Sequence, residues 1–174
     1  MVLQVSDVMI SSDEIESMCN RLGEQISRDY KGKELLLVGV LKGSFVFMAD
    51  LIRRLDLDCR VDFMKVSSYR TGMTPGELRI VQDLEESISG RHVLIVEDII
   101  DSGRTLLRLV ELLQTRNPAS LKIVAAFDKP ERREVNLKVD YVGMQIPDEF
   151  IVGYGLDYAG LYRNFKDIRY MEDI

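Results

Sequence analysis

Val93-Leu94-Ile95-Val96-Glu97-Asp98-Ile99-Ile100-Asp101-Ser102-Gly103-Arg104-Thr105 begins as a strand and ends at the mouth of a helix. Its first four residues are continuously apolar, the pattern of a strand covered on both faces. They run straight into two adjacent carboxylates. A small-residue loop then opens an apolar-periodic helix carrying Leu106, Leu107, Leu109 and Val110. Ser102, Gly103 and Thr105 allow a backbone to approach a ligand closely and offer hydroxyl donors. The free amides and positive end of the helix favour a phosphate there. Glu97 and Asp98 suit a pair of vicinal hydroxyls or a hydrated divalent cation, and Asp101 sits between the two groups, facing the expected reacting centre. A phosphate on one side and a diol on the other point to a sugar phosphate. On spacing alone, Asp101 or Ser102 also fits a plain helix cap. The stretch has neither the Gly-x-x-x-x-Gly-Lys of a Walker loop nor the Gly-x-Gly-x-x-Gly of dinucleotide folds.

Working outward, Ser11-Ser12-Asp13-Glu14 has capping-box spacing, and Ile15, Met18, Cys19, Leu22 and Ile26 follow at helical period, with Gly32 as a stop. Cys19 lies on that apolar stripe and is expected in the core. Leu35 to Val40 predicts a buried strand, Leu41-Lys42-Gly43-Ser44 a break, and Phe45 to Leu55 a helix. A strand is expected from Cys59 to about Val66, then a long polar loop from Ser67 to Glu77. Strands are expected at 91–96, 121–127, 139–145 and 150–153, and a helix at 105–113. His92, the only histidine, should open its strand rather than do chemistry, and Glu131-Arg132-Arg133-Glu134 should be an exposed turn. Strands alternating with helices predict an α/β fold with a twisted, mostly parallel sheet flanked by helices. Ligands in such sheets bind beyond the carboxyl ends of the strands.

The bulk properties set limits on these readings. The chain has 174 residues, 46% hydrophobic and 30% charged, which suits one packed domain and argues against global disorder. No apolar run approaches the roughly 20 residues of a membrane span, and the N-terminus lacks the pattern of a secretory signal. Two cysteines are too few for a disulfide scaffold or a Cys-rich zinc site, so a cytoplasmic location is expected. The net charge of −6 disfavours nucleic acid as a general partner, and no membrane partner is expected. An anionic substrate stays open, because backbone amides and a bound metal override the global sign locally.

Residues 96–105 resemble the ribose-phosphate signature of type I phosphoribosyltransferases. Three further segments make the chain similar to the 6-oxopurine, hypoxanthine-guanine branch of that family: Leu41-Lys42-Gly43-Ser44, Ser67-Ser68-Tyr69, and Ile146-Pro147-Asp148 through Phe150 to Asp157-Tyr158 and Arg163. The resemblance covers nearly the whole chain in order. It implies one phosphoribosyltransferase domain over 1–174, with a core at about 35–145 and a small hood subdomain built from the N- and C-terminal segments. It also implies magnesium-dependent transfer of ribose 5-phosphate from 5-phosphoribosyl 1-pyrophosphate (PRPP) to N9 of hypoxanthine or guanine, giving IMP or GMP plus pyrophosphate. Self-association as a homo-dimer or homo-tetramer is a further implication.

Residue by residue, the resemblance makes Glu97 and Asp98 the acids that meet the ribose hydroxyls, directly or through hydrated Mg2+. Asp101, Ser102, Gly103, Arg104 and Thr105 become the 5-phosphate loop, Arg104 mainly through its backbone amide, and Asp101 also the general acid/base at purine N7. Lys42 and Gly43 match the pyrophosphate loop, preceded in the family by a frequently cis bond, with Arg163 a second pyrophosphate contact. Asp157 matches a ligand of the magnesium bound to pyrophosphate and lies with the purine-binding set. In that set Lys129 is the O6 donor, Phe150 the stacking ring and Ile151 a backbone contact to the base. Ser68 and Tyr69 match the start of a lid. Without the family, Lys129 would read as part of a solvated loop, Phe150 as core packing and Arg163 as a surface ion-pair partner. Two rival readings are a phosphoribosyltransferase for xanthine or adenine, and a PRPP-binding regulator without turnover. Lys129 opposes adenine, and a regulator would need a nucleic-acid element for which this chain has no spare length.

Overall fold

In a computed structural model, residues 3–68 and 78–173 are described. The chain forms β1 (Leu3–Ile10), α1 (Ser12–Asp29), β2 (Leu35–Val40), α2 (Phe45–Ile52), β3 (Cys59–Ser68), β4 (Leu78–Gln82), β5 (His92–Ile100), α3 (Arg104–Gln114), β6 (Ser120–Asp128), a 3-10 turn (Pro130–Arg132), β7 (Tyr141–Gln145), β8 (Ile151–Val152) and β9 (Ile168–Asp173). The main sheet has six strands in the order β4-β3-β2-β5-β6-β7. Strands β3, β2, β5, β6 and β7 pair in parallel, and β4 adds an antiparallel edge to β3. A second, three-stranded sheet, β1-β9-β8, is built from the two ends of the chain. Among the described residues no helix is long and apolar enough to cross a membrane.

The period-2 geometry of strands explains the continuous apolar runs. Leu35 and Leu37 of β2, with Leu94 and Val96 of β5, join the core that includes α1 and α2. Their neighbours Leu36, Val38, Val93 and Ile95 join the opposite core, which α3 closes with Leu106, Leu109 and Leu113. Helix α1 starts where its capping box requires: Glu14 N–H donates to Ser11 Oγ at 3.2 Å, and Ser11 N–H donates to Glu14 Oε2 at 2.8 Å. Backbone and side-chain bonds to Ser11 also hold the Glu14 carboxyl below its usual range. Cys19 is fully buried and His92 opens β5, its Nδ1 2.7 Å from Ser120 Oγ.

Several expectations need correction. Strands β1, β4 and β9 carried no clean period-2 signal, because each lies at a sheet edge or in the small sheet and mixes exposed and half-buried positions; β1 is further broken by register shifts. Strand β5 runs on to Ile100, so Glu97 and Asp98 lie within it rather than after it. Strand β3 reaches Ser68, so Ser67 and Ser68, expected to open the long loop, are strand residues paired with Arg79 and Leu78; Tyr69 lies outside the described residues. Helix α2 stops at Ile52 because the chain tightens into i→i+3 bonds, Arg54 N–H to Leu51 O and Leu55 N–H to Ile52 O. Arg133 is not an exposed turn residue: its guanidinium is largely covered and pairs with Asp128.

The β2–β5 ladder ends at Gly39 opposite Val96, whereas β5 stays paired with β6 as far as Ile100 opposite Asp128. Chain order also reverses between β2 and β5, since β2 leads outward to β3 and β5 leads the other way to β6. This is the topological switch point at which parallel sheets bind ligands. The fold rests on strands covered from both sides, so Leu94→Ala in β5 should cost about 2–5 kcal/mol. Urea unfolding should show a lower midpoint at an unchanged slope; an unchanged midpoint would contradict the two-core description.

Candidate active site

Two loops meet at the switch point. The first, Leu41–Ser44, follows β2. Leu41 N–H donates to Met64 O at 2.8 Å, and the buried Ser44 hydroxyl donates to Val40 O at 2.6 Å. The Leu41–Lys42 peptide bond is cis, and the Lys42 side chain is exposed. The second loop follows β5. Gly103 is the N-cap of α3 at φ +79°, a left-handed conformation that glycine adopts without strain. Leu107 N–H makes the first helical bond, to Gly103 O at 2.9 Å, so the amides before it are the orphan donors of a helix start. Arg104 N–H reaches only Ser102 Oγ, at 3.4 Å. A cavity of about 250 Å³ lies here, lined by Glu97, Ile99, Asp101, Ser102, Gly103 and Thr105 among others.

The loops touch through Gly43 and Asp98. A Cβ placed on Gly43 would fall 1.6 Å from Asp98 Oδ2, so only glycine permits this approach. Asp98 Oδ1 accepts from Ile99 N–H at 2.7 Å. Burial, with the adjacent Asp98 charge, pushes the Glu97 carboxyl well above its usual range. Burial also raises Asp98, against the Ile99 N–H bond and the more distant Arg163 charge. Among the described residues neither acid makes an ion pair, so the two adjacent carboxyls have no direct cationic partner.

A third loop closes on these two. Gly155 packs against the Gly43 carbonyl. Arg163 donates from Nη1 to Gly155 O at 2.6 Å and pairs through Nη2 with Asp157 Oδ1 at 2.7 Å, while Asp157 Oδ2 accepts from Gly160 N–H at 2.8 Å. Glu97, Asp98 and Asp157 do not gather into one three-ligand cluster among the described residues. Two adjacent oxygen donors still suit Mg2+, which keeps several waters and takes one or two carboxylates plus substrate oxygens.

On the far side, Lys129 follows β6. It is 7% exposed, so the solvated-loop reading fails. Its Nζ donates to Glu149 O at 2.7 Å and lies 3.7 Å from both Asp101 Oδ1 and Asp148 Oδ1. Phe150 is 44% exposed rather than core, its ring edge-on to Tyr158 with centroids 5.5 Å apart. Ile151 is buried, and its backbone pairs with Tyr170 of β9. Strand β8 is an edge strand, so its other side has no strand partner among the described residues. The Arg104 side chain pairs with Glu134.

Three neighbours escaped the sequence reading. Ile99 looked like one more residue of an apolar strand. Asp148 stood inside a motif without a role, and Gly155 beside Gly153 was the only visible sign that the third loop approaches the first.

The phosphoribosyl transferase domain family matches residues 11–159. The chain belongs to the phosphoribosyltransferase family. It is 50% identical to the hypoxanthine-guanine phosphoribosyltransferase of Staphylococcus aureus over 165 residues, covering 94% of this chain and 92% of that protein. A crystal structure of a hypoxanthine phosphoribosyltransferase from Staphylococcus aureus superposes with a TM-score of 0.92 at 48% identity, covering 97% of this chain and 92% of the other. A hypoxanthine-guanine phosphoribosyltransferase from Bacillus anthracis superposes with a TM-score of 0.93 at 44% identity, covering 99% and 100%. The enzyme therefore has the type I phosphoribosyltransferase fold. In this enzyme, Gly43→Ala should force Asp98 and the first loop apart and lower kcat/KM roughly 10²-fold, with cooperative unfolding retained. Full turnover in that variant would show that the contact is unimportant.

Proposed function

We propose that this enzyme salvages purines by transferring ribose 5-phosphate from PRPP to N9 of hypoxanthine or guanine, releasing IMP or GMP and pyrophosphate. The observation that carries the choice of base is the covered ammonium of Lys129 beside Asp101. An ammonium has donors only, so it suits a 6-oxo group, which accepts, and opposes the 6-amino group of adenine, which donates. Asp101 is then within reach of N7 and takes its proton. N9 becomes the better nucleophile, its electron pair forms the bond to C1 of ribose, and the C1–O bond breaks with its electrons leaving on pyrophosphate.

In this reading the amides of residues 102–105 and the hydroxyls of Ser102 and Thr105 hold the 5-phosphate, and Glu97 and Asp98 meet the ribose hydroxyls or the waters of Mg2+. The ion, when bound, neutralises charge on pyrophosphate. Lys42, Gly43 and Arg163 receive the pyrophosphate, and Asp157, already bonded to Arg163, orients that guanidinium and offers its remaining lone pairs to a second Mg2+. Phe150 stacks on the base, Tyr158 bracing its edge, and the open side of Ile151 addresses the base's hydrogen-bonding edge. The small sheet of β1, β9 and β8 serves as the hood, Ser68 and Tyr69 lead into the lid, and the chain works in the cytoplasm as a dimer or tetramer.

An absorbance assay with PRPP, Mg2+ and each of hypoxanthine, guanine, xanthine and adenine should give kcat/KM highest for the first two. Lys129→Ala should erase most of that preference over adenine; retained selectivity would move the discriminator elsewhere. Asp101→Asn should lower kcat by roughly 10²–10⁴-fold with the fold intact, and unchanged turnover would remove Asp101 from the chemistry.

A further inference from the structure

Beneath the second loop lies a buried ion pair that the proposed reaction does not use. Arg133 Nη2 pairs with Asp128 Oδ1, with side-chain exposures of 18% and 9%. Arg133 Nη1 donates to Leu137 O at 3.5 Å. Its Nε is buried without a hydrogen-bond partner among the described residues. The stem of this side chain is pressed against the phosphate-loop corner: a Cβ placed on Gly103 would lie 3.1 Å from Arg133 Cδ and 3.2 Å from Val135 Cγ2. The flanking chain is stitched to the same loop. Glu134 N–H donates to Ser102 O at 3.0 Å, Lys129 N–H donates to Ile100 O at 3.0 Å, and Arg104 pairs with Glu134.

A buried ion pair is weak support for stability, since an apolar pair of similar volume often does as well. An unpaired buried Nε adds a further cost. The arrangement makes sense as a device for position. Asp128 ends β6, a rigid strand of the main sheet, and Arg133 carries that rigidity outward to the left-handed corner at Gly103.

We propose that Arg133, clamped to Asp128, is a positioning residue that holds the Gly103 corner in its phosphate-binding shape. The inference rests on the reading of residues 102–105 as the 5-phosphate loop. It predicts a selective effect. The double variant Asp128→Asn/Arg133→Met removes both charges together and avoids stranding one of them. It should raise KM for PRPP about tenfold or more, by analogy with the loss when residues that orient metal ligands are removed, and leave KM for hypoxanthine within about twofold. Arg133→Lys keeps the charge and shortens the brace, and should fall between wild type and the double variant. A purely structural role would lower the urea midpoint without separating the two KM values, and that result would overturn the proposal. Thr105→Val is the control: if it leaves KM for PRPP unchanged, the loop assignment itself fails and this inference falls with it. If Thr105→Val raises KM and the Arg133 variants do not, only the positioning role is lost.

Discussion

The active site depends on an unequal pairing. Strand β5 keeps its ladder with β6 to Ile100 but loses β2 after Val96. For the last residues of β5, one side is held by a neighbouring strand and the other meets the loop that follows β2. A parallel sheet leaves such a gap only where chain order reverses. Everything chemical is arranged around it. The acids Glu97 and Asp98 occupy the singly paired stretch, and the Gly43 turn fills the place where β2 would have continued. Helix α3 starts at the lip. If β2 were longer, its backbone would occupy the space into which Gly43 brings its loop against Asp98.

That geometry sets the electrostatics. An acidic chain that binds an anionic substrate needs local reversals of sign, and here they come in two forms. One is the helix start at Gly103, where orphan amides supply positive potential without a charged side chain. The other is a set of cations held close to carboxylates: Lys129 near Asp101 and Asp148, and Arg163 on Asp157. Such pairing keeps each cation aimed while the site is free. Glu97 and Asp98 do the opposite. With no cationic partner among the described residues and with burial raising both, they form a site that a divalent cation would relieve.

The main sheet was legible in the sequence because its strands are covered on both faces, so Leu35–Val40 and Val93–Val96 stand out as unbroken apolar runs. The caps of α1 were legible for a different reason, since Ser11 and Glu14 act on each other over three residues. Strands β1 and β9 were not, because each is paired by a partner at the other end of the chain and has no local alternation of its own. The same division holds in the site. Residues 97–105 are contiguous and announce themselves, whereas Arg163 and Asp157 are polar residues of a loop whose position beside Gly43 comes only from tertiary packing. Arg133 was misread for a related reason. Four consecutive charges suggest a solvated turn, and nothing local reveals that Asp128, five residues earlier, ends a buried strand and draws one of them inward.

That short loop after β6 touches two parts of the candidate site. Lys129 opens it beside Asp101, Arg133 sits in its middle against Gly103, and Glu134 bonds back to Ser102. The loop is tied at two places, to the residues after β5 by Glu134 N–H on Ser102 O and to the end of β5 by Lys129 N–H on Ile100 O. The bond to Ile100 O fixes Lys129 to the main sheet, while Arg133 and Glu134 hold the Gly103 corner, so the two ends of the loop are anchored separately and a change at Arg133 leaves the anchor of the lysine in place.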